Sequence, residues 1–518
     1  MQNPAKILQQ LGAFWQHFGI HKRKSDFSGK NIVSVFSEKC PYPVWHKDEW
    51  ISNSNPPFTI YDDKKDFWEQ VWQLFSTCPM AHNTSLGNEN CEYTDDSWYS
   101  KNCYLCHSIA NCEDCKYSYR TFQTKNCYFT VFSFDSEFCI DLVYGYNCYN
   151  VKYAIDVKRC KNSAFLFDCQ DCEDCLLCWN LRSKRYCIAN KQYEKSEYEK
   201  EVKKYNLNSK KVYNTLKNQF LDFIKTNAWW KSLHFDNVEN SSGDYLANCK
   251  DCENCFSIQA SENNKNSVRA YNIKNTSYTI GNYNCENTHY STIVQGNCYD
   301  VKFGYNVAES KFMEYCINCQ DCENCFLCAG LVGKKYFILN KEYSKESYET
   351  EKNRIVESMK MKGIYGEFFP AYFSPTSYDE SLSSVYVPLT KEEQKKEGFR
   401  VIEENYGQKG DYKDISKLPD NLLDFNSDDL IKKGFWDDDY HRPFQILKED
   451  IEFYKKLGVP VNDKFYIKRI RENFSLMFQS FELRETVCAK SGEKILTTLP
   501  KELDKRIVSQ KEYEKLIY

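Results

Sequence analysis

The sequence predicts a mainly β fold of repetitive, solenoid-like lobes with helical caps and linkers. Three observations carry that expectation. Cys91, Cys103, Cys115, Cys127 and Cys139 recur every twelve residues, and after a three-residue slip Cys148, Cys160 and Cys172 do so again. The segments around them (NCYLCHSIA, CKYSYRTF, NCYFTVFSF, FCIDLVYGY) are short and rich in Tyr, Phe, Val and Ile, which is strand behaviour rather than a 3.6-residue helical period. A whole block then returns: residues 168–200 and 318–350 are identical at 18 of 33 positions without a gap, at an offset of 150. A fixed short period over many copies marks stacked repeats. Twelve residues fit one small coil or half of a larger one, and an irregular antiparallel sheet of hairpins is the competing arrangement.

Read in order, residues 1–90 form a mixed lead-in. Phe67, Val71, Trp72 and Phe75 fall at helical spacing within 63–75, CPYPVWH reads as extended chain and Asn55-Pro56-Pro57 as a break. Residues 91–200 form the first Cys/Tyr-rich lobe, closed by NKQYEKSEYEK as a polar cap, since an exposed sheet end invites aggregation. Within 201–234, YNTLKNQFLDFIKTNAWW predicts a linking helix. Residues 235–350 repeat the lobe and its cap, with Ser, Asn and Thr replacing many cysteines in the middle. A metal ladder tolerates such replacement poorly and a packing ladder tolerates it well. Residues 351–445 begin as a helix, pass through the aromatic stretch GIYGEFFPAYFSPTSYDE, and reach a capped helix start at Leu389–Glu393 and a polar, extended region over 400–445. There Asp420, Asp424, Asp428 and Asp429 lack the glycine and glutamate of a calcium loop. Residues 446–518 hold a helix that stops before Pro460, short strands around FSLMFQSFEL and a final helix.

Composition narrows the function. The chain has 518 residues, with 42% hydrophobic, 27% charged and a net charge of -4. It is globular and not broadly polybasic. A mean hydropathy of -0.69 and the lack of a long apolar run predict no membrane span. The first residues, MQNPAKILQQLGAFWQHFGIHKRK, lack the pattern of a signal peptide, so the expected location is the cytoplasm, where thiols stay reduced. An odd count of 27 cysteines argues against a complete disulfide framework.

The candidate metal ligands are thiols: Cys103, Cys106, Cys112 and Cys115; the block Cys169, Cys172, Cys175, Cys178; the triplet Cys249, Cys252, Cys255; and the block Cys319, Cys322, Cys325, Cys328. Thiolates suit zinc or an iron–sulfur cluster. The blocks lack the C-x3-C-P ending of a low-potential ferredoxin, and buried cysteine also serves as a small hydrophobe. The primary expectation is therefore packing with no cofactor, and zinc is the alternative. His107, close to Cys103 and Cys106, is the one histidine placed to join them. Asp168, Asp171, Glu173 and Asp174 read as solvated corners. No HExxH, phosphate loop or GxGxxG is present. Tyr104, Tyr117, Tyr119, Tyr128, Tyr144, Tyr146, Tyr149 and Tyr299 are candidates for an aromatic binding face, with stacking inside the sheet as the other reading.

The blocks at 168–200 and 318–350, together with GEFFPAYFSPTSYDE and PLTKEEQKKEGF, resemble an uncharacterised cysteine-rich repeat family with zinc-ribbon-like ends, common in Candidate Phyla Radiation bacteria. The resemblance covers most of the chain and implies architecture rather than activity. It also implies paired CxxC hairpins at both ends, from which this sequence departs. Ser25 and Ser28 stand where cysteines are expected, followed only by Cys40 and His46. At the other end Cys488 remains, with Ser491 and Ser509 in the remaining places. The functional expectation is a non-enzymatic scaffold or binding protein that meets a protein partner or itself through long sheet faces. A factor binding RNA, single-stranded DNA or the ribosome is the second reading, and a thiol-based metal or redox protein the third.

Overall fold

The computed structural model describes residues 4–518 apart from 403–408, 414, 416–417, 422–423, 425–430 and 432–433. Two large sheets dominate it: ten strands from Asp95–Trp98 to Lys191–Gln192, and twelve from Phe235–Glu239 to Lys341–Glu342. Within each sheet the strands pair in parallel, save for one closing antiparallel pair at the C-terminal end. The hairpin arrangement is thereby excluded. In the first sheet every parallel pair joins residues twelve apart, such as Lys152 to Ile140 and Lys161 to Glu173.

A three-residue unit lies beneath this register. Every third residue from Asn90 to Ala189 has a φ between 47° and 57°. That left-handed conformation is costly for most L-residues and tolerated best by Asn and Asp. Asn or Asp accordingly fill sixteen of these thirty-four positions, and Tyr or Phe fill ten. The asparagines also bond along the stack: Asn90 Nδ2 donates to Asn102 Oδ1 at 2.9 Å, and Asn102 to Asp114 at 3.0 Å. Opposite charges meet at the same spacing, as in Lys101–Glu89 and Lys125–Glu113.

The second sheet follows the same rule with two irregularities. Phe235 pairs with Leu246 across an eleven-residue step, and Thr292 with Tyr305 across a thirteen-residue step. Gly243 and Gly296 lie in these steps with φ of 138° and 74°. A Cβ on Gly243 would stand 1.7 Å from the Cys255 carbonyl oxygen, so backbone contact excludes any side chain there.

Helices cover the sheets. The Lys210–Thr226 helix, capped by Ser209, lays Tyr213, Leu216, Phe220 and Ile224 against the first sheet, where the linking helix was expected. The Phe67–Phe75 helix packs with the second sheet's core. The capping box at Thr390 and Glu393 forms as its sequence predicts. The helix Lys448–Leu457 ends at Gly458 in the left-handed region, before Pro460. FSLMFQSFEL is not strand: Phe474 ends the helix Tyr466–Ser475, and the nearby hairpin is Arg484–Val487 with Lys494–Thr497. The apolar face of Ile467, Ile470 and Phe474 docks that helix on the first sheet, overriding the strand preference of the residues. Of the polar stretch 400–445, Phe435–Asp437 pairs with Arg442–Phe444, while Asp428 and Asp429 lie outside the described residues.

Candidate functional site: the thiol columns and the seam between the sheets

All 24 cysteines from Cys91 to Cys328 directly follow a residue in the left-handed conformation, or occupy the equivalent place in the triplet. That position points inward, and all of these thiols but Cys91 are buried. The CxxCxxCxxC blocks therefore read as four consecutive inward positions. The three-residue slip in the cysteine series is a move to the next column. Each thiol is held by backbone. Cys106 Sγ donates to the Tyr104 and Cys115 carbonyls at 3.4 Å each, and Cys115 to Glu113 and Thr124 at 3.4 Å each. Hydroxyls and amides repeat the pattern where cysteine is absent: Ser118 Oγ donates to the Lys116 and Cys127 carbonyls, and Asn264 Nδ2 to that of Ile273.

Burial pushes Cys115 and Cys148 up to about 12. Within the blocks, Cys175 and Cys325 are raised by hydrogen bonds to Cys172 and Cys322, while Cys172 is lowered chiefly by its contact with Cys160 and Cys322 by that with Cys319. Among the described residues, no group of three or more His, Cys, Asp and Glu is arranged to hold a metal ion. Cys103, Cys106, Cys112 and Cys115, the block Cys169–Cys178, the triplet Cys249–Cys255 and the block Cys319–Cys328 lie in the sheet interiors. His107 does not join Cys106. It projects from the other face, where its Nδ1 lies 3.4 Å from Asp95 Oδ2.

The two chain ends do not fit zinc either. Ser25 Oγ donates to Glu49 Oε2 at 2.6 Å, so a hydroxyl–carboxylate bond occupies the N-terminal position. At the other end Cys488 Sγ accepts from the Ser491 and Ser509 amides at 3.5 and 3.4 Å. Burial raises Cys488, but the Ser491 hydroxyl and these amides outweigh it and bring the thiol down to about 7.

The predicted aromatic face divides. Tyr117, Tyr119 and Tyr128 are buried in the core, and Tyr104 and Tyr144 are packed against it, so these five do not form an open face. Their rings stack on neighbouring elements: Tyr117 on Phe129 at 4.7 Å, Tyr128 on Phe453 at 3.7 Å and Tyr144 on Tyr245 at 4.2 Å. Tyr146, Tyr149 and Tyr299 are exposed, as are Tyr271 and Tyr283, whose rings stack 5.5 Å apart.

Sequence reasoning passed over the seam where the two sheets meet. Its residues carry no motif and are gathered from distant parts of the chain. His17 and His107 rings lie 4.5 Å apart, and Arg269 Nη1 donates to His17 Nε2 at 3.4 Å and its Nη2 to the Tyr386 hydroxyl. Burial pushes His107 down to about 3 and His17 well below its ordinary value, so both are neutral. Burial also pushes Asp95 up to about 7. Arg120 and Arg269 both sit against the Phe132 ring, at 5.4 and 5.0 Å. Lower in the seam His234 stacks on Tyr245 at 4.1 Å and bonds Asp244 at 3.0 Å. Burial there works against the charged imidazole, but the Asp244 carboxylate outweighs it and raises His234. The signal available in the sequence was the repeated arginine. Upstream of the extra residue near Gly296 the duplication offset is 149, which aligns Cys103 and Cys106 with Cys252 and Cys255, and Arg120 with Arg269.

No family model matches the chain. No curated protein matches it. Among solved structures it is similar to one from Desulfovibrio desulfuricans G20 described as a "putative acetyltransferase", at 10% identity, over 56% of this chain and 80% of that one, with a TM-score of 0.11. A likeness that weak carries no argument about fold or activity. Among the described residues no helix is long and apolar enough to cross a membrane.

Proposed function

We propose that each sheet is the wall of a β-solenoid whose coil is twelve residues long with four corners, and that the chain is a non-enzymatic scaffold or binding protein. The register of twelve and the left-handed residue at every third position support the coil. The inward turn of the thiol columns carries the functional reading. With 23 of 24 cysteines buried and bonded or packed inside the sheets, their chemistry is spent on architecture, and the outer faces remain for partners. The exposed rings of Tyr271, Tyr283, Tyr299 and Phe312 supply such a face on the second sheet. Aromatic rings of this kind are rigid anchors for a protein surface.

Native affinity capture from the source cell tests the reading. A defined partner retained by the wild type and lost with Tyr271→Ser/Tyr283→Ser supports it. An unchanged partner set with that variant counts against this face. Stoichiometric zinc or iron in the purified protein overturns the architectural reading of the thiols.

A further inference from the structure

We propose that the seam around Arg120 and Arg269 is a binding site for a small tetrahedral oxyanion of the phosphate class. The site is formed only where the two sheets meet, because each sheet contributes the equivalent arginine. It stands apart from the scaffold reading, since it concerns the buried seam and not the outer faces.

Several arginines elsewhere in the chain meet a carboxylate. Arg469 is bidentate on Asp141, Arg182 pairs with Asp168 at 2.9 Å, and Arg23 with Asp26 at 2.7 Å. A buried guanidinium without a counter-charge is strongly unfavourable. Among the described residues, Arg269 is 1% exposed yet no carboxylate pairs with it, and Arg120 is partly exposed and makes no ion pair, with the Asp96 carboxyl nearby. The terminal nitrogens of Arg269 reach only a neutral imidazole and a phenol. The Nε atoms of both arginines are buried with no partner. So is His17 Nδ1, which carries the ring hydrogen because Nε2 accepts from Arg269.

The nearby carboxyls do not complete the site. Asp95 accepts from the Thr84 amide at 2.9 Å, and Asp96 from Trp98 Nε1 at 2.8 Å and from Ser108. Burial raises both toward the neutral acid, although Arg120 opposes this at Asp96, and burial together with the charge of Arg269 outweighs Asp96 in lowering Arg120 to about 10. Two like charges gathered on one ring, with three unpartnered N–H donors, match a multiply charged acceptor with several oxygens. Arginine meets phosphate in this way through paired N–H bonds. The burial of Arg269, at 1% exposed, favours the free ion over a phosphoryl group on a larger molecule.

The test uses the full chain after exchange into phosphate-free chloride buffer. Equilibrium dialysis with radiolabelled inorganic phosphate is expected to show saturable uptake of about one ion per chain. Sulfate should compete, and phenyl phosphate should not. Arg120→Gln, at the partly exposed member, is expected to weaken uptake by about tenfold or more, and Arg120→Lys by less. Arg269→Gln should abolish it. Absence of saturable uptake by the wild type overturns the proposal and needs no variant. Wild-type affinity in a folded Arg120→Gln protein overturns it as well. Competition by phenyl phosphate as strong as by sulfate would instead assign the phosphoryl group of a larger molecule.

Discussion

The first sheet is regular and holds 14 of the thiols, whereas the second is irregular and holds ten, with more hydroxyls, amides and apolar side chains in the inward places between them. Cys115 in the first corresponds to Asn264 in the second, and both donate to the carbonyl nine residues on, at 3.4 and 3.1 Å. Asp141 corresponds to Tyr290. The aspartate ties the first sheet to Arg469 and Asn473, while the tyrosine continues a ring stack from Tyr278 to Phe303. The stack therefore needs an inward donor that reaches a carbonyl, and an outer residue that either stacks or pairs. Sulfur is one solution among several, which is why the cysteines thin out without loss of the architecture.

The comparison breaks most sharply at Asp141. Asp141→Asn leaves Arg469 buried without a counter-charge and is expected to cost roughly 3–5 kcal/mol in urea unfolding, against under about 1 kcal/mol for Tyr290→Phe. The pair also sets an acid limit. Burial opposes ionisation of Asp141, but Arg469 lowers its pKa below that of the unfolded chain. Its stabilisation is full above about pH 4 and is lost as pH falls through the folded value. Asp141→Asn should flatten that acid limb of the stability profile.

The glycines come next. Gly243→Ala must displace the Cys255 backbone at a positive φ, and is expected to cost about 2–4 kcal/mol in the same measurement. In the first sheet Gly145→Ala meets only the Leu142 side chain, 2.2 Å away, and should cost less. Equal losses would show that the eleven-residue step is no tighter than the regular ones.

Within the thiol columns, Cys115→Leu should cost about 1–3 kcal/mol by overpacking, and Cys115→Ser less than about 1 kcal/mol, because serine at neighbouring inward positions already makes the same bonds. If Cys115→Ser were as damaging as Cys115→Leu, sulfur would have a role that its hydrogen bonds do not capture.

At the seam, Asp95 is raised to about 7, so the native state holds its proton where the unfolded chain has released it. Stability should decline as pH rises from about 4 toward 7, and Asp95→Asn should remove that slope.

The smallest effect is at the open end of the first sheet. Cys91 is half-buried and lowered to about 7 chiefly by its hydrogen bond with Cys103, despite its partial burial. It should label first with a thiol reagent in the native protein, and Cys91→Ser should remove the fast phase without changing stability by more than about 0.5 kcal/mol.

Much of the repeat was legible. The twelve-residue cysteine spacing marked the register, and the duplicated block marked the second sheet with its closing pair and helix at Lys345–Met361. The three-residue unit was also present, in the Asn, Asp, Tyr or Phe that precedes 20 of the 24 cysteines from Cys91 to Cys328, but a pattern shared by so many residue types has no hydrophobic period to reveal it. The surplus of tyrosine has its explanation there: Tyr117, Tyr144, Tyr153, Tyr278, Tyr290 and Tyr315 all hold left-handed positions, and their rings stack with aromatic neighbours. The expected aromatic face failed at Tyr117, Tyr119 and Tyr128 because the C-terminal helices cover them, a packing that no local pattern records.

By itself the sequence determined the period, the duplication and the inward donors, because each depends on residues a few positions apart. Only the tertiary structure decided which faces are covered, and that His17, Arg120, Arg269 and Tyr386 share one seam. Those contacts join segments more than a hundred residues apart, and the order in which they come together is set by how the two sheets pack.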